Sequence, residues 1–475
     1  MIFSSTLFLF IFLPLSVLIY FFIPRRFLGL RNAALLLCSL VFYAWGEPVV
    51  VFVMLLSIAV NYAFGLYFKP GSDVKRARFV LAAAVCFNVG LLGYYKYANF
   101  FIGNVNALFK TDYAARIALP VGISFFTFQI LSYVIDVYAG RVGPQENIFK
   151  LALYVSFFPQ MVAGPIIRYK DIEGQLSERA HSIGGAAAGM RRFAAGLAKK
   201  VLIANQAAVF ADYVFELGNP ACALAWAGVL CYAVQIYFDF SGYSDMAIGL
   251  AKIFGFTFKP NFDYPYAARS VREFWRKWHI SLSAWFRDYL YIPLGGNRKG
   301  TARTYINLFV VFAVTGLWHG ADWSFVVWGL FHGAFLTLER AGLGKVLDKL
   351  PGFVSRVYTL LVVTIGWVFF RADGLVNARA YMGRMFDFKS GGLSVLAANL
   401  DHITLISFAA GVVLSAPALP FIKRRVFGVS EADAAFTPFM EAVNILSCAG
   451  CFLLMVMSVV FLTGSDFNPF LYFRF

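Results

Sequence analysis

The chain has 475 residues, of which 60% are hydrophobic and 14% are charged, and its formal net charge is +16 at pH 7. This composition excludes an ordinary soluble protein and indicates an integral membrane protein. The basic residues are scattered between apolar runs instead of forming one solvated face, which argues against nucleic acid as a partner.

The first apolar run, residues 3–23, contains no charged residue. It is long enough to cross a membrane, because about 20 helical residues span the hydrocarbon core. A signal peptide would carry its basic residues before the apolar core, whereas Arg25 and Arg26 follow this run. We therefore expect the first span to be retained.

Many further apolar runs follow. They occupy residues 33–45, 49–68, 79–95, 117–135, 151–167, 224–238, 305–317, 325–338, 357–370, 403–422 and 443–462. They predict an all-α polytopic membrane protein with roughly 10 to 12 transmembrane helices. Several runs are too short to cross unaided, so re-entrant and interfacial helices are expected as well. We expect residues 1–475 to form a single integral-membrane domain.

Basic residues mark two of the early loops, and cytoplasmic loops carry an excess of such residues. They are Arg25, Arg26 and Arg31 after the first span, and Lys69, Lys75, Arg76 and Arg78 after the third. Both loops are predicted to be cytoplasmic, which places the N-terminus outside.

The cysteines do not indicate a metal site. Four of the six are dispersed within apolar sequence, and Cys448 and Cys451 form a C-x-x-C pair in the last apolar run. A structural zinc site needs four ligands, and neither a histidine nor a second pair lies nearby. Helix packing is the expected role, and no bound metal is expected.

A polar segment, residues 259–303, interrupts the apolar sequence. Ser270 and Glu273 have the spacing of a capping box, which predicts that a helix begins there. At about 100° per residue one face is aromatic and the opposite face is basic. The aromatic face comprises Phe274, Trp275, Trp278, Leu282, Trp285 and Tyr289, and the other comprises Arg272, Arg276, Ser283 and Arg287. We expect one helix in the membrane interface, with its rings in the acyl boundary.

Two features of this segment could carry function. His279 lies at the border between the two faces, near the arginines in projection. After the helix, two glycines precede Asn297 and Arg298, whose polar groups could meet a phosphate. A loop pattern this short is weak evidence by itself.

His319 and His332 lie thirteen residues apart in two similar segments, 316–321 and 329–334. Ionisable residues at membrane depth are costly and usually face a cavity or a partner, so the two histidines indicate an interior site. A neutral imidazole can accept a hydroxyl proton at cellular pH. The alternative is that both imidazoles only form hydrogen bonds between helices. For Asp239 and Asp245, a structural hydrogen-bond network is favoured over catalysis.

Taken together, these motifs resemble the membrane-bound O-acyltransferase (MBOAT) family, in particular its alginate O-acetylation branch. The resemblance covers nearly the whole chain and is carried by residues 1–5, 94–100, 120–125, 163–165, 237–245, 273–279 and 317–321. It implies a ring of tilted spans around a thin centre with a central tunnel. It also implies a catalytic role for His319, a functional role for His279 and a cavity-shaping role for His332.

The resemblance further implies an acetyltransferase in the bacterial cytoplasmic membrane, surrounded by lipid. The donor substrate would be cytosolic acetyl-CoA, with no permanently bound cofactor, and an extracytoplasmic acetyltransferase partner would deliver acetyl groups to an exported polysaccharide. Arg272, Arg276, Asn297 and Arg298 are candidates to bind the donor phosphates. His319 would act as general base or accept the acetyl group itself, and direct transfer is favoured.

Other functions stay open at this point. The same chemistry serves peptidoglycan and cellulose acetylation, so the polymer is undetermined. Interrupted helices with buried polar groups also suit a transporter that performs no chemistry. A scaffold for extracytoplasmic enzymes is a third alternative, and it would tolerate replacement of His319.

Overall fold

The computed structural model describes residues 1–68, 73–114, 117–418, 438–464 and 467–469, without the side chains of 438–444. Lys69, one of the predicted loop residues, and the end of the apolar run 403–422 lie outside these ranges. Within them every regular element is a helix. The all-α prediction is confirmed for this part of the chain.

The first half of the chain forms eleven α-helices within the described ranges. They are α1 (Leu13–Phe22), α2 (Leu28–Ala44), α3 (Val50–Tyr67), α4 (Val74–Leu92), α5 (Ala98–Phe109), α6 (Ile123–Tyr138), α7 (Ile148–Ser156), α8 (Phe158–Met161), α9 (Tyr169–Ser177), α10 (Ile183–Ala198) and α11 (Asn205–Glu216). Short π-helical turns, Gly93–Tyr97 and Lys199–Ala204, join α4 to α5 and α10 to α11.

The second half begins with the longest described helix, which has 32 residues. Its α-helices are α12 (Cys222–Ile253), α13 (Val271–Lys277), α14 (Ile280–Phe286), α15 (Thr301–His319), α16 (Trp323–Leu338), α17 (Gly344–Leu347), α18 (Gly352–Arg371), α19 (Gly374–Met385), α20 (Leu393–Asn399), α21 (His402–Leu414) and α22 (Pro438–Thr463).

Six helices within the described ranges are long and apolar enough to cross a membrane. They are α3, α4 with α5, α10 with α11, α12, α18 and residues 445–463 of α22. The pair α20 and α21, bent by 104°, would make a seventh. Roughly 10 to 12 spans were expected, and the number is smaller because several apolar runs lie in shorter helices. The helices α2 and α6, for example, have 17 and 16 residues.

The predicted start of the polar-segment helix is confirmed, but its continuity is wrong. Ser270 Oγ accepts a hydrogen bond of 3.0 Å from the backbone N–H of Glu273, which begins α13. The helix then breaks at His279, whose φ of 45° lies in the left-handed region. Two seven-residue helices, α13 and α14, replace the single helix. Side-chain periodicity continues across the break, so the pattern could not reveal it.

The aromatic face of this segment is buried as predicted, but its surroundings are not lipid. Phe274, Trp275 and Trp278 are at most 8% exposed. The Trp275 ring centre lies 5.5 Å from that of Trp328 in α16, and that of Trp278 lies 5.0 Å from that of Trp367 in α18. The expected position of the rings in the acyl boundary is therefore wrong. The amphipathic pattern could not distinguish the two surroundings, because protein and lipid are equally good apolar environments for it.

The two similar segments around His319 and His332 form the crossing of α15 and α16. Here the backbones approach so closely that no Cβ fits: at Gly316 it would strike the carbonyl oxygen of Phe325, and at Gly329 that of Phe312. Small residues permit such close helix packing in membranes. The glycines of the repeated pattern therefore bring α15 and α16 together.

The polar residues of α12 form ion pairs with the helix that packs beside it. Asp239 and Lys200 are 2.7 Å apart and almost fully buried. Asp245 pairs with Arg192 at 2.8 Å and with Lys199 at 2.7 Å. Buried charges require such partners. These contacts support the structural interpretation of the aspartates and hold α12 against the segment Ile183–Glu216.

We predict that Gly329→Ala destabilises the protein, because the added methyl meets a backbone carbonyl that cannot move aside. Overpacking of this kind costs about 1–3 kcal/mol. The melting temperature of the detergent-purified protein should fall by several degrees.

Gly90→Ala is the matched control, since Gly90 lies in α4 and a Cβ there would meet no atom within 4 Å. Alanine at that position should be neutral or slightly stabilising. Equal melting temperatures for the two variants would contradict the proposed helix contact.

Candidate active site

His319 is the last residue of α15, and the helix ends inside the protein. Gly320 leaves the helix with extended backbone, at φ −157° and ψ 150°. A short turn leads to Asp322, whose side chain accepts a hydrogen bond of 2.7 Å from the N–H of Ser324 and so begins α16. His319 is 5% exposed. The helix is therefore interrupted at this histidine.

The carbonyl groups at the end of α15 are bonded by side chains from the π-helical turn between α4 and α5. Tyr97 donates to the Leu317 oxygen at 2.7 Å. Lys96 donates to the Trp318 oxygen at 2.5 Å and to the His319 oxygen at 3.2 Å. The last carbonyls of a helix have no partner within the helix itself. Lys96 and Tyr97 therefore cap α15 and hold His319 in place.

His279 is placed beside His319 by the break between α13 and α14. The centres of the two imidazole rings are 6.5 Å apart, so one reacting group could contact both. His279 is 1% exposed, and its Nδ1 lies 3.3 Å from Oδ1 of Asn261. Phe240 packs edge-on against the His279 ring, with 4.5 Å between ring centres. The structure thus brings together the two histidines that were predicted to be functional.

The chemical state of His279 follows from its surroundings. Burial lowers the pKa of His279 to about 3, because a low-dielectric environment disfavours the charged imidazolium. The ring is therefore neutral at cellular pH. A neutral imidazole has one nitrogen that donates a hydrogen bond and one that accepts.

A small cavity of about 80 Å³ reaches His319. Its wall includes residues 119–125 and Val162, together with Lys96, Trp318 and His319. Lys96 also donates to Ser124 Oγ at 3.4 Å. His319 is therefore one of the residues that line a space with both polar and apolar side chains.

His332 lies one layer behind this site. The ring centre of Trp328 is 5.2 Å from that of His319 and 5.2 Å from that of His332, so the indole separates the two histidines. His332 is completely buried, and the Trp275 ring packs edge-on against it at 5.0 Å. Trp328 therefore packs against both histidines, and the cavity-shaping role of His332 stays a prediction.

The four residues expected to bind the donor phosphates lie at the surface. Arg272 and Arg276 are exposed on the outer face of α13, and Asn297 and Arg298 are exposed in the turn before α15. None of them lines the cavity at His319. Glu339, at the end of α16, fixes the start of α13 by accepting hydrogen bonds from the N–H groups of Val271 and Arg272 at 2.6 and 3.0 Å.

Sequence reasoning missed Lys96, Tyr97 and Asn261, which position the two histidines. Lys96 was detectable, since it is a lone charge within an apolar run. Nothing in the sequence distinguishes Asn261 from other loop residues. Within the described ranges no group of three or more His, Cys, Asp and Glu residues could hold a metal ion.

Comparison with known proteins agrees with the motifs. A model of the membrane-bound O-acyltransferase (MBOAT) family matches residues 144–343. The chain is 41% identical to the probable alginate O-acetylase AlgI of Pseudomonas putida, over 100% of both chains. It is 43% identical to the protein of that name in Pseudomonas aeruginosa, over 90% of this chain and 82% of the relative. It is 32% identical to the peptidoglycan O-acetyltransferase of Helicobacter pylori, over 100% of this chain and 98% of the relative.

The similarity to these relatives extends over the whole fold, including the segments around His279 and His319. The chain also has several helices that are long and apolar enough to cross a membrane. The family resemblance predicted from the motifs is confirmed. The chain is a membrane-embedded O-acyltransferase and belongs to the membrane-bound O-acyltransferase family.

Proposed function

We propose that this protein transfers acetyl groups from cytosolic acetyl-CoA across the membrane, for O-acetylation of an exported, alginate-like polysaccharide. The observation that carries the proposal is the pair of buried imidazoles, 6.5 Å apart at interrupted helices, beside a cavity that reaches His319. Helices interrupted at membrane depth are tolerated where they line protein or water-filled cavities. The proposal includes an arrangement of the spans in a ring around a central tunnel, and a single domain over residues 1–475.

In the proposed reaction His319 is the general base. It takes the proton of an acceptor hydroxyl while the hydroxyl oxygen attacks the thioester carbonyl carbon. The carbon–sulfur bond breaks, and the CoA thiolate leaves and receives the proton from the imidazolium. His279 is neutral and contacts the same reacting group. Direct transfer needs no acetyl-histidine, which would be the intermediate of the two-step alternative.

The proposed direction of transfer follows from the distribution of charge. Lys75, Arg76 and Arg78 lie at the start of α4 and are exposed, and basic loops favour the cytoplasmic side. This orientation places the N-terminus outside in the bacterial cytoplasmic membrane. The exposed Arg272 and Arg276 would bind the phosphates of the donor, since guanidinium groups form charge-assisted hydrogen bonds with phosphate.

The acceptor polymer is proposed from the relatives. Proteins named for alginate O-acetylation are about as long as this chain and up to 43% identical to it. The peptidoglycan O-acetyltransferase is 32% identical over the full length, which makes peptidoglycan a second candidate. Membership of an acyltransferase family argues against a transporter or a scaffold without chemistry, either of which would leave the thioester intact.

We predict that His319→Ala abolishes acetyl transfer while the protein still folds. Lys96 bonds the backbone oxygen of His319, so the substitution leaves the helix cap in place. Loss of a general base lowers turnover by about 10²- to 10⁴-fold. Release of CoA from acetyl-CoA by the purified chain, with a hydroxyl acceptor present, measures this loss.

His402→Ala is the control, because His402 is exposed at the start of α21. It should retain full turnover. Near-normal turnover of a well-folded His319→Ala protein would exclude the proposed base, and wild-type protein that never cleaves acetyl-CoA would contradict the proposed donor.

We predict that Arg272→Ala and Arg276→Ala each raise the KM for acetyl-CoA by about tenfold or more. A hydrogen bond to a charged group contributes about 1.5–3 kcal/mol. With acetyl-pantetheine, which lacks the nucleotide phosphates, the same variants should behave like wild type. An unchanged KM for acetyl-CoA would show that these arginines do not bind the donor.

We predict that acetylation of the polymer requires a separate extracytoplasmic acetyltransferase. A hydrated polymer cannot enter an apolar interior without losing its hydrogen bonds to water, whereas a short acceptor segment of a partner protein can. The chain is reconstituted in liposomes with acetyl-CoA and polymer, with and without the partner. Equal polymer acetylation in both cases would contradict the relay.

A further inference from the structure

Asn261 contacts His279 from the loop that follows α12, and it belongs to neither histidine motif. The residue is 1% exposed. Its Oδ1 accepts hydrogen bonds from the backbone N–H of Ser281 at 3.0 Å and from the Ser281 hydroxyl at 2.8 Å. The same oxygen lies 3.3 Å from Nδ1 of His279. Three polar groups therefore meet at one amide oxygen, next to the candidate active site.

These contacts determine the tautomer of His279. The backbone N–H of Ser281 can only donate, so the Asn261 atom that faces it must be the amide oxygen. Because an oxygen accepts, His279 Nδ1 must carry the proton. In a neutral imidazole the lone pair then lies on Nε2. This nitrogen is buried and has no hydrogen-bond partner among the described residues, so its lone pair is not engaged by any of them.

The backbone around Asn261 supports the same arrangement. Its carbonyl oxygen accepts a hydrogen bond of 2.9 Å from the N–H of Ile280, directly after the break. His279 has the left-handed φ of 45°, which a residue with a side chain adopts only when its surroundings hold it there. The Ser281 hydroxyl also accepts a hydrogen bond from the N–H of Ile166 at 3.0 Å. This bond connects the segment after His279 to the N-terminal half of the chain.

We infer that Asn261 is a positioning residue, which holds the His279 imidazole in one orientation and one tautomer with Nε2 directed to the reacting group. The inference rests on the proposed function and deepens it. Without the amide oxygen the ring could exchange its tautomers, and part of the population would present an N–H in place of a lone pair. Turnover would fall although both histidines are present.

The test compares substitutions of the full chain in detergent. Asn261→Leu removes the acceptor oxygen at similar volume, and Asn261→Asp keeps an acceptor. Asn88→Leu is the matched control: Asn88 is a fully buried asparagine in α4 that donates to Asn61 at 2.7 Å. For each variant, kcat and KM for acetyl-CoA are measured with a hydroxyl acceptor present, together with the melting temperature.

We expect Asn261→Leu to lower kcat by about 10- to 100-fold, as the loss of an orienting partner does elsewhere, with little change in KM. Asn261→Asp should recover most of this loss. Asn88→Leu should lower the melting temperature without lowering kcat. A kcat of Asn261→Leu within about twofold of wild type, a change in KM alone, or an Asn261→Asp variant no better than Asn261→Leu would overturn the inference.

A second measurement does not depend on acetyl transfer. Solid-state ¹⁵N NMR of histidine-labelled protein reports the protonated ring nitrogen, with His279→Gln identifying the signal. We expect the Nδ1–H tautomer in the wild type and in Asn88→Leu, and a mixture in Asn261→Leu. The Nε2–H tautomer in the wild type would overturn the inference. If the wild type shows the expected tautomer but transfers no acetyl group, the proposed function fails while the positioning by Asn261 stands.

Discussion

The site depends on one constraint: backbone groups at a helix end that is buried in an apolar interior must find hydrogen-bond partners. The end of α15 is such a place, and its carbonyls are bonded by Lys96 and Tyr97. A buried lysine is costly to place among apolar helices. Here it contacts three oxygen acceptors, including Ser124 Oγ. The cap therefore determines both where α15 stops and where His319 lies.

The same constraint operates at the second interruption. The break between α13 and α14 places His279 near His319. Asn261 bonds the backbone N–H groups directly after the break, and Glu339 bonds those at the start of α13. In an uninterrupted α13–α14 helix, the N–H groups after His279 would bond within the helix and would not need a partner from another segment. Both histidines thus occupy ends of interrupted helices, where neighbouring segments fix the backbone. Such preorganisation keeps reacting groups aligned before the substrate arrives.

The relatives show that similar scaffolds serve different polymers. Proteins named for alginate and for peptidoglycan O-acetylation are both similar to this chain over nearly its whole length. The buried histidines can contact only an acyl group and a hydroxyl at close range, and neither differs between the two polymers. Discrimination between polymers therefore requires contacts beyond these two imidazoles.

Several features were determined by the sequence alone: the membrane class from composition, the helix start at Ser270 from its capping pattern, and the two candidate histidines of the site from motifs. These signals are local, so a short window contains them. Only the tertiary structure decided that the chain breaks at His279, that its aromatic face packs on protein instead of lipid, and that Lys96 and Asn261 position the site. Those features depend on hydrogen bonds between residues far apart in sequence: Lys96 bonds a carbonyl 223 positions away. No periodicity encodes which distant group will meet a buried polar atom.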